Sequence, residues 1–213
     1  MNVYPESWAV IDLETSGLNP LHDRIIEIGI VVVRPDRPDV AQSVLVRLET
    51  PDELPDVITT ITGLKRKDLD AGMPIREALE WLRARAEGLP LVGHNALAFD
   101  WPFIRAELDR CEDLDFASPG MLIDTAGLYI AAATARLRRH DESLAAFSAR
   151  MIGQRPTGQK YNLALACREM GVSLEGVTAH RAAGDALATY RLFEACRTAG
   201  VGMDVVKPEG VRL

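Results

Sequence analysis

The sequence is short of cysteine: Cys111, Cys167 and Cys196 are its three, odd in number and far apart. A disulfide-stapled secreted fold is therefore disfavoured, and the absence of closely spaced cysteine pairs removes the usual zinc and thioredoxin-type chemistries. Buried structural thiols in a reducing interior are the expectation. A basic surplus is also missing, since 24 lysines and arginines face 31 aspartates and glutamates for a net charge of −7. Binding of nucleic acid by bulk electrostatics, or of acidic membranes, is disfavoured, so any polyanion must be gripped locally. No apolar run approaches the roughly 20 residues needed to span a bilayer. Met1 to Glu6 lacks a basic segment followed by an apolar core. A soluble, intracellular protein of the cytoplasm, without membrane contact, is expected. No internal repeat is visible.

What is present suffices for one ordinary domain with a sizeable core: 213 residues, 47% of them hydrophobic. Trp8 to Thr15 is an apolar run that reads as a buried strand. Turn chemistry follows at Ser16-Gly17-Leu18-Asn19-Pro20, and Ile25 to Val33 is rich in β-branched residues. Ser43 to Leu48 alternates Val44, Val46 and Leu48 against Leu45 and Arg47, which predicts the third strand of an antiparallel meander. Ile75, Leu79 and Leu82 sit at helical spacing between Pro74 and Glu87, and Leu89 to Gly93 reads as a short fourth strand. A helix around Trp101, Ile104 and Leu108 follows, then a short strand at Met121 to Ile123, helical stretches over Thr125 to Arg139 and Ser143 to Ile152, and a loop over Gly153 to Tyr161. Ala182 to Thr198 is an apolar final helix, and residues 205–213 read as a tail. Three antiparallel strands followed by alternating helix and strand predict an α/β fold, a mixed sheet flanked by helices, over residues 1–204.

The acids are placed unevenly on this framework. Alternation along a strand puts Asp12 and Glu14 on one face at the end of the first strand. Such a pair persists if it shares a cation or reaches water. Asp185 falls with Ala188, Leu192 and Ala195 on the apolar stripe of the final helix, where it calls for a metal, a firm hydrogen-bond partner, or the positive end of the helix dipole. His180 precedes it by five residues, about 140° away on a continuous helix, so the two converge only if His180 lies on the preceding loop. Asp100 stands where a helix should begin and suits an N-cap. Together, Asp12, Glu14, Asp100 and Asp185 with His180 could hold two divalent cations and activate a water. Their hard oxygen ligands favour magnesium or manganese over zinc.

Three motifs carry a family resemblance. Val10-Ile11-Asp12-Leu13-Glu14-Thr15-Ser16-Gly17-Leu18 is similar to D-x-E-T-T-G-L, with Ser16 at the second Thr. Leu91-Val92-Gly93-His94-Asn95-Ala96 leads to Phe99-Asp100, and Ala179-His180-Arg181-Ala182-Ala183-Gly184-Asp185-Ala186 completes the set. In this order they resemble the DEDDh group of DnaQ-like 3'-to-5' exonucleases, and Ile123-Asp124-Thr125 is a fainter echo. The resemblance implies a ribonuclease H-like fold. It further implies that Asp12, Glu14, Asp100 and Asp185 bind two Mg2+ ions, with Mn2+ able to substitute, and that His180 is the base. By the same resemblance Thr15, Leu18, His94, Asn95 and Phe99 meet the terminal nucleotide, while Glu27 receives no role. The implied substrate is the 3' end of single-stranded nucleic acid, DNA by preference. An RNA-end trimmer or oligoribonuclease is the alternative, and an inert binding or scaffolding module is the alternative of another class. A polymerase or another replication or repair protein is the implied partner, although no clamp-binding or polymerase-binding peptide is evident and no oligomeric state is implied. The resemblance leaves residues 129–160 unassigned. From Ala131 to Lys160, six cations (Arg136, Arg138, Arg139, Arg150, Arg155 and Lys160) face Asp141 and Glu142. That helical, basic insertion suits a phosphate backbone, a solvated face or an oligomer contact.

Overall fold

A computed structural model describes residues 3–35, 40–49, 54–86, 88–111, 114 and 122–203. The expected tail lies outside them, as does Met121. Five strands form one sheet in the order β3-β2-β1-β4-β5: β1 Trp8–Thr15, β2 Ile25–Val33, β3 Ala41–Leu45, β4 Leu91–Gly93 and β5 Leu122–Asp124. The first three pair antiparallel, and β4 and β5 join β1 in parallel. The helices are α1 Asp56–Thr62, α2 Arg66–Asp70, α3 Ile75–Ala86, α4 Asp100–Cys111, α5 Thr125–Ala133, α6 Leu144–Gly153, α7 Leu163–Glu169 and α8 Ala182–Thr198. The fold is the mixed sheet with flanking helices that the strand pattern predicts.

Alternation along β1 sorts its side chains between two cores. Ala9, Ile11 and Leu13 join Leu79, Leu82, Phe103 and Ile104 on the face covered by α3 and α4. Trp8 and Val10 join Tyr129, Phe147, Leu192 and Phe193 on the face covered by α5, α6 and α8. Full burial of each large apolar side chain contributes about 1.5–3 kcal/mol, so this register is firmly set. Phe193 seats α8 on β1 through an edge contact with Trp8 (centroids 5.3 Å apart) and a tilted one with Tyr4 (5.1 Å). Cys167 and Cys196 are buried free thiols, and Cys111 is half-buried.

Two elements differ from the periodicity. The third strand was expected over 43–48 and runs over Ala41–Leu45 instead, because Val46 turns to bridge Met73 in parallel, with the Arg47 N–H donating to the Met73 carbonyl at 2.7 Å. The helix expected to reach Arg139 ends at Ala133. There the Thr134 hydroxyl bonds the Ile130 carbonyl and Ala135 takes a φ of 50°. Helices α1, α2 and α7 had no counterpart in the hydrophobic pattern.

Candidate active site

Asp12 and Glu14 continue the Trp8 and Val10 face of β1, so both point beneath the start of α8. Across the ladder Asp12 pairs with Gly29 and Glu14 with Glu27. Gly29 is required there, because a Cβ would run into the Ala182 carbonyl. This close approach brings the first turn of α8, and with it Asp185, down onto the two strand acids. Each of Asp12, Glu14 and Asp185 offers an oxygen within 4.8 Å of the others, and all three are half-buried.

Burial dominates the electrostatics, and crowding of like charges adds to it. Burial pushes the Asp12 carboxyl well above the carboxylate range, reinforced by Asp100, Asp185, Glu14 and Glu27. Glu14 is pushed from 4.5 to about 8 by burial and then by Asp185, Glu27 and Asp100, with Arg181 opposing. Asp185 is raised by burial, against the His180 backbone N–H and imidazole. Asp100, buried at the first residue of α4, is pushed from 3.8 to about 7 by desolvation, against hydrogen bonds from its own N–H and that of Leu13. Half-buried like charges that raise one another's proton affinity form a set that a divalent cation would relieve. Hard oxygen donors at this mutual distance fit such an ion.

His180 lies on the loop before α8, as convergence with Asp185 requires, in a left-handed conformation (φ 56°). Its backbone N–H donates to Asp185 Oδ2 at 3.0 Å and its side chain is exposed. The loop after β1 is braced from within. The Thr15 hydroxyl donates to the Gly17 carbonyl at 2.6 Å, the Asn19 N–H donates to Asp23 Oδ2 at 2.8 Å, and the Arg110 guanidinium donates to the Pro20 and Leu21 carbonyls. On this frame Leu18 stands 83% exposed.

The second motif is tied inward. His94 Nε2 meets the Tyr161 carbonyl at 2.6 Å and Nδ1 meets the Thr125 hydroxyl at 2.9 Å. A carbonyl only accepts, so Nε2 carries the proton. Burial holds this imidazole down at about 4, therefore neutral. Asn95 is left-handed (φ 58°), and its Oδ1 has no hydrogen-bond partner among the described residues. Phe99 stacks, tilted, on Phe103.

Two groups escaped the sequence reading. Asp124, noticed only as an echo, is fully buried, caps α5 and accepts from the Asn95, Leu97 and Ala126 N–H groups at 2.8–3.0 Å. It thereby fixes the loop between β4 and α4. Glu27, given no role, is fully buried and paired with Arg181. In the segment before Tyr161, Arg150 forms a bidentate pair with Glu142, and Arg138 bonds the Arg139, His140, Glu142 and Gly202 carbonyls. These two cations hold the 137–143 turn. Arg155, exposed, lies over the Tyr161 ring at 5.2 Å.

A family model described as exonuclease, RNase_T, matches residues 9–193. The DNA polymerase III PolC-type of Mycoplasma pneumoniae is 32% identical over 122 residues, 57% of this chain and 8% of that protein. The 3'-5' exonuclease DinG of Staphylococcus saprophyticus is 28% identical over 186 residues, 87% of this chain and 17% of that protein. The chain thus spans less than a fifth of either relative. Among solved structures, E. coli exonuclease I in complex with a dT13 oligonucleotide superposes with a TM-score of 0.65 at 15% identity, covering 92% of this chain and 42% of that one. Among the described residues no helix is long and apolar enough to cross a membrane.

Proposed function

This chain belongs to the RNase_T exonuclease family, and from that premise we propose that it is a DEDDh-type 3'-to-5' exonuclease. It would release nucleoside 5'-monophosphates from the 3' end of single-stranded DNA, in proofreading or repair. The observation that carries this reading is the meeting of Asp12, Glu14 and Asp185 oxygens within 4.8 Å of one another. Asp12, Glu14 and Asp185 would hold one divalent cation, and Asp100 would support a second; Mg2+ is the expected ion, with Mn2+ able to replace it. Bound there, the pair supplies charge to neutralise the scissile phosphate and to acidify the attacking water.

The chain's own side chains do the rest. His180 accepts the water's proton at an imidazole nitrogen, its backbone held by Asp185 and its side chain exposed. Leu18 wedges against the last base from its braced loop, beside Thr15. Asn95, with its unpartnered Oδ1, and Phe99 line the other side of the terminal nucleotide, and His94 keeps their loop in place through both ring nitrogens. Arg155 and Lys160, both exposed, are the cations of this segment that would meet backbone phosphates. The likeness to PolC supports a polymerase or another replication or repair protein as partner. Timed digestion of end-labelled single-stranded DNA, duplex DNA, RNA and dinucleotides, with Mg2+ and with EDTA, tests the proposal. Metal-dependent mononucleotide release from the 3' end of single-stranded DNA is expected. Release from RNA alone would move the assignment to an RNA-end trimmer, and no cleavage of any substrate would overturn it.

A further inference from the structure

Glu27 is a fully buried carboxylate that the metal-binding set does not use. It accepts from Arg181 Nε at 3.0 Å, Arg181 Nη2 at 2.9 Å, the Ala182 N–H at 3.2 Å and the Ser43 hydroxyl at 2.7 Å. Arg181 and Ala182 are the two residues that follow His180. Glu27 therefore grips the chain immediately behind the proposed base. Apolar packing is interrupted beside this grip, where an open groove of about 290 Å3 lies between Thr178, Gly184 and Leu187 on one side and Ala41 and Ser43 on the other. The turn is pinned instead at polar and steric points: Glu27 on one side, Gly29 under Ala182, and Gly184 against the Thr178 carbonyl, where a Cβ has no room. His180 sits inside this frame in a left-handed conformation that the backbone does not favour for a residue with a Cβ.

We propose that Glu27 and Arg181 are positioning residues for the hydrolysis argued above, a premise on which this inference rests: their ion pair, buried at its Glu27 end, locks the turn that aims the His180 imidazole at the carboxylate cluster. A displacement of about 1 Å at a reacting group is enough to lower turnover on the order of 100-fold. Loosening the pair should therefore act on kcat and leave substrate affinity alone.

The test is a double-mutant cycle on end-labelled single-stranded DNA with Mg2+, using Glu27→Gln alone and in the His180→Ala background. Expected is a kcat loss of about 10- to 100-fold in the otherwise wild-type protein. KM should stay within about twofold, and the loss in the His180→Ala background should also be under about twofold. Equal losses in the two backgrounds would make the pair a general structural brace and overturn the proposal, as would full activity of Glu27→Gln in an active protein. A wild-type chain that cleaves none of the substrates would overturn the underlying function together with this inference, and is recognised before any variant is made. Should Glu27→Gln fail to fold, Arg181→Lys at the partly exposed end of the pair takes its place with the same expected pattern.

Discussion

The carboxylate cluster should make the metal-free protein less stable as pH rises through neutrality, the reverse of the usual behaviour of paired acids. Glu14 and Asp100 hold their protons in the folded state up to about 8 and about 7, whereas the unfolded chain releases them near 4.5 and 3.8. Stability from this source is complete below pH 4 and drains away as pH climbs through the folded values. With each tenfold change in proton affinity worth about 1.4 kcal/mol, moving from pH 6 to pH 8 destabilises by roughly 2 kcal/mol through Glu14 and roughly 1 kcal/mol through Asp100. His94 runs the other way. It is held down at about 4, so its stability is full above pH 6.5 and falls below it, offsetting less than about 1 kcal/mol over the same interval. The net loss of about 2–3 kcal/mol corresponds to a Tm drop of about 5–10 °C for a chain of this size. Thermal unfolding followed by circular dichroism in EDTA at pH 6, 7 and 8 measures it. Saturating Mg2+ or Mn2+ should restore the lost degrees, most of all at pH 8, and Asp12→Asn should flatten both the pH dependence and the response to metal. A metal-free Tm that is flat or rising from pH 6 to pH 8, identical in wild type and Asp12→Asn, would refute the reasoning.

Three further outcomes are expected. Asp12→Ala and Asp185→Ala should each abolish nuclease activity while the fold survives, since removing a ligand also relieves carboxylate repulsion; full activity of either purified variant would remove the metal-site reading. His180→Ala should lower turnover by about 100-fold or more yet bind Mn2+ as the wild type does by calorimetry, and unchanged turnover at neutral pH would exclude His180 as the base. Asp124→Ala should destabilise the protein by about 2–4 kcal/mol, because three backbone donors lose a buried acceptor; a urea titration showing under about 0.5 kcal/mol would refute its bracing role.

The strands and most helices were legible because their signals are local. Alternation on β1 and the β-branched run of β2 each declare a buried strand within a single stretch. The five-residue interval from His180 to Asp185 was legible too, through the geometric requirement that His180 leave the helix. Glu27 and Arg181 were not, because they lie 154 residues apart in sequence and neither belongs to a pattern that names the other. Asp124 escaped for a related reason: its partners are backbone N–H groups, which no side-chain pattern records. The end of α5 rests on the left-handed Ala135, a conformation that no side-chain periodicity announces. Helices α1 and α7, at seven residues each, are too short for the 3.6-residue period to stand out.

The acids of the cluster come from the first strand and the last helix, with Asp100 between them. A ribosome making this chain must therefore deliver everything from β1 to the first turn of α8 before Asp185 can join Asp12. Up to that point the growing polypeptide has only part of the acidic set and no His180. The order of synthesis thus withholds the complete acidic set until the strand and the helix that carry it can meet.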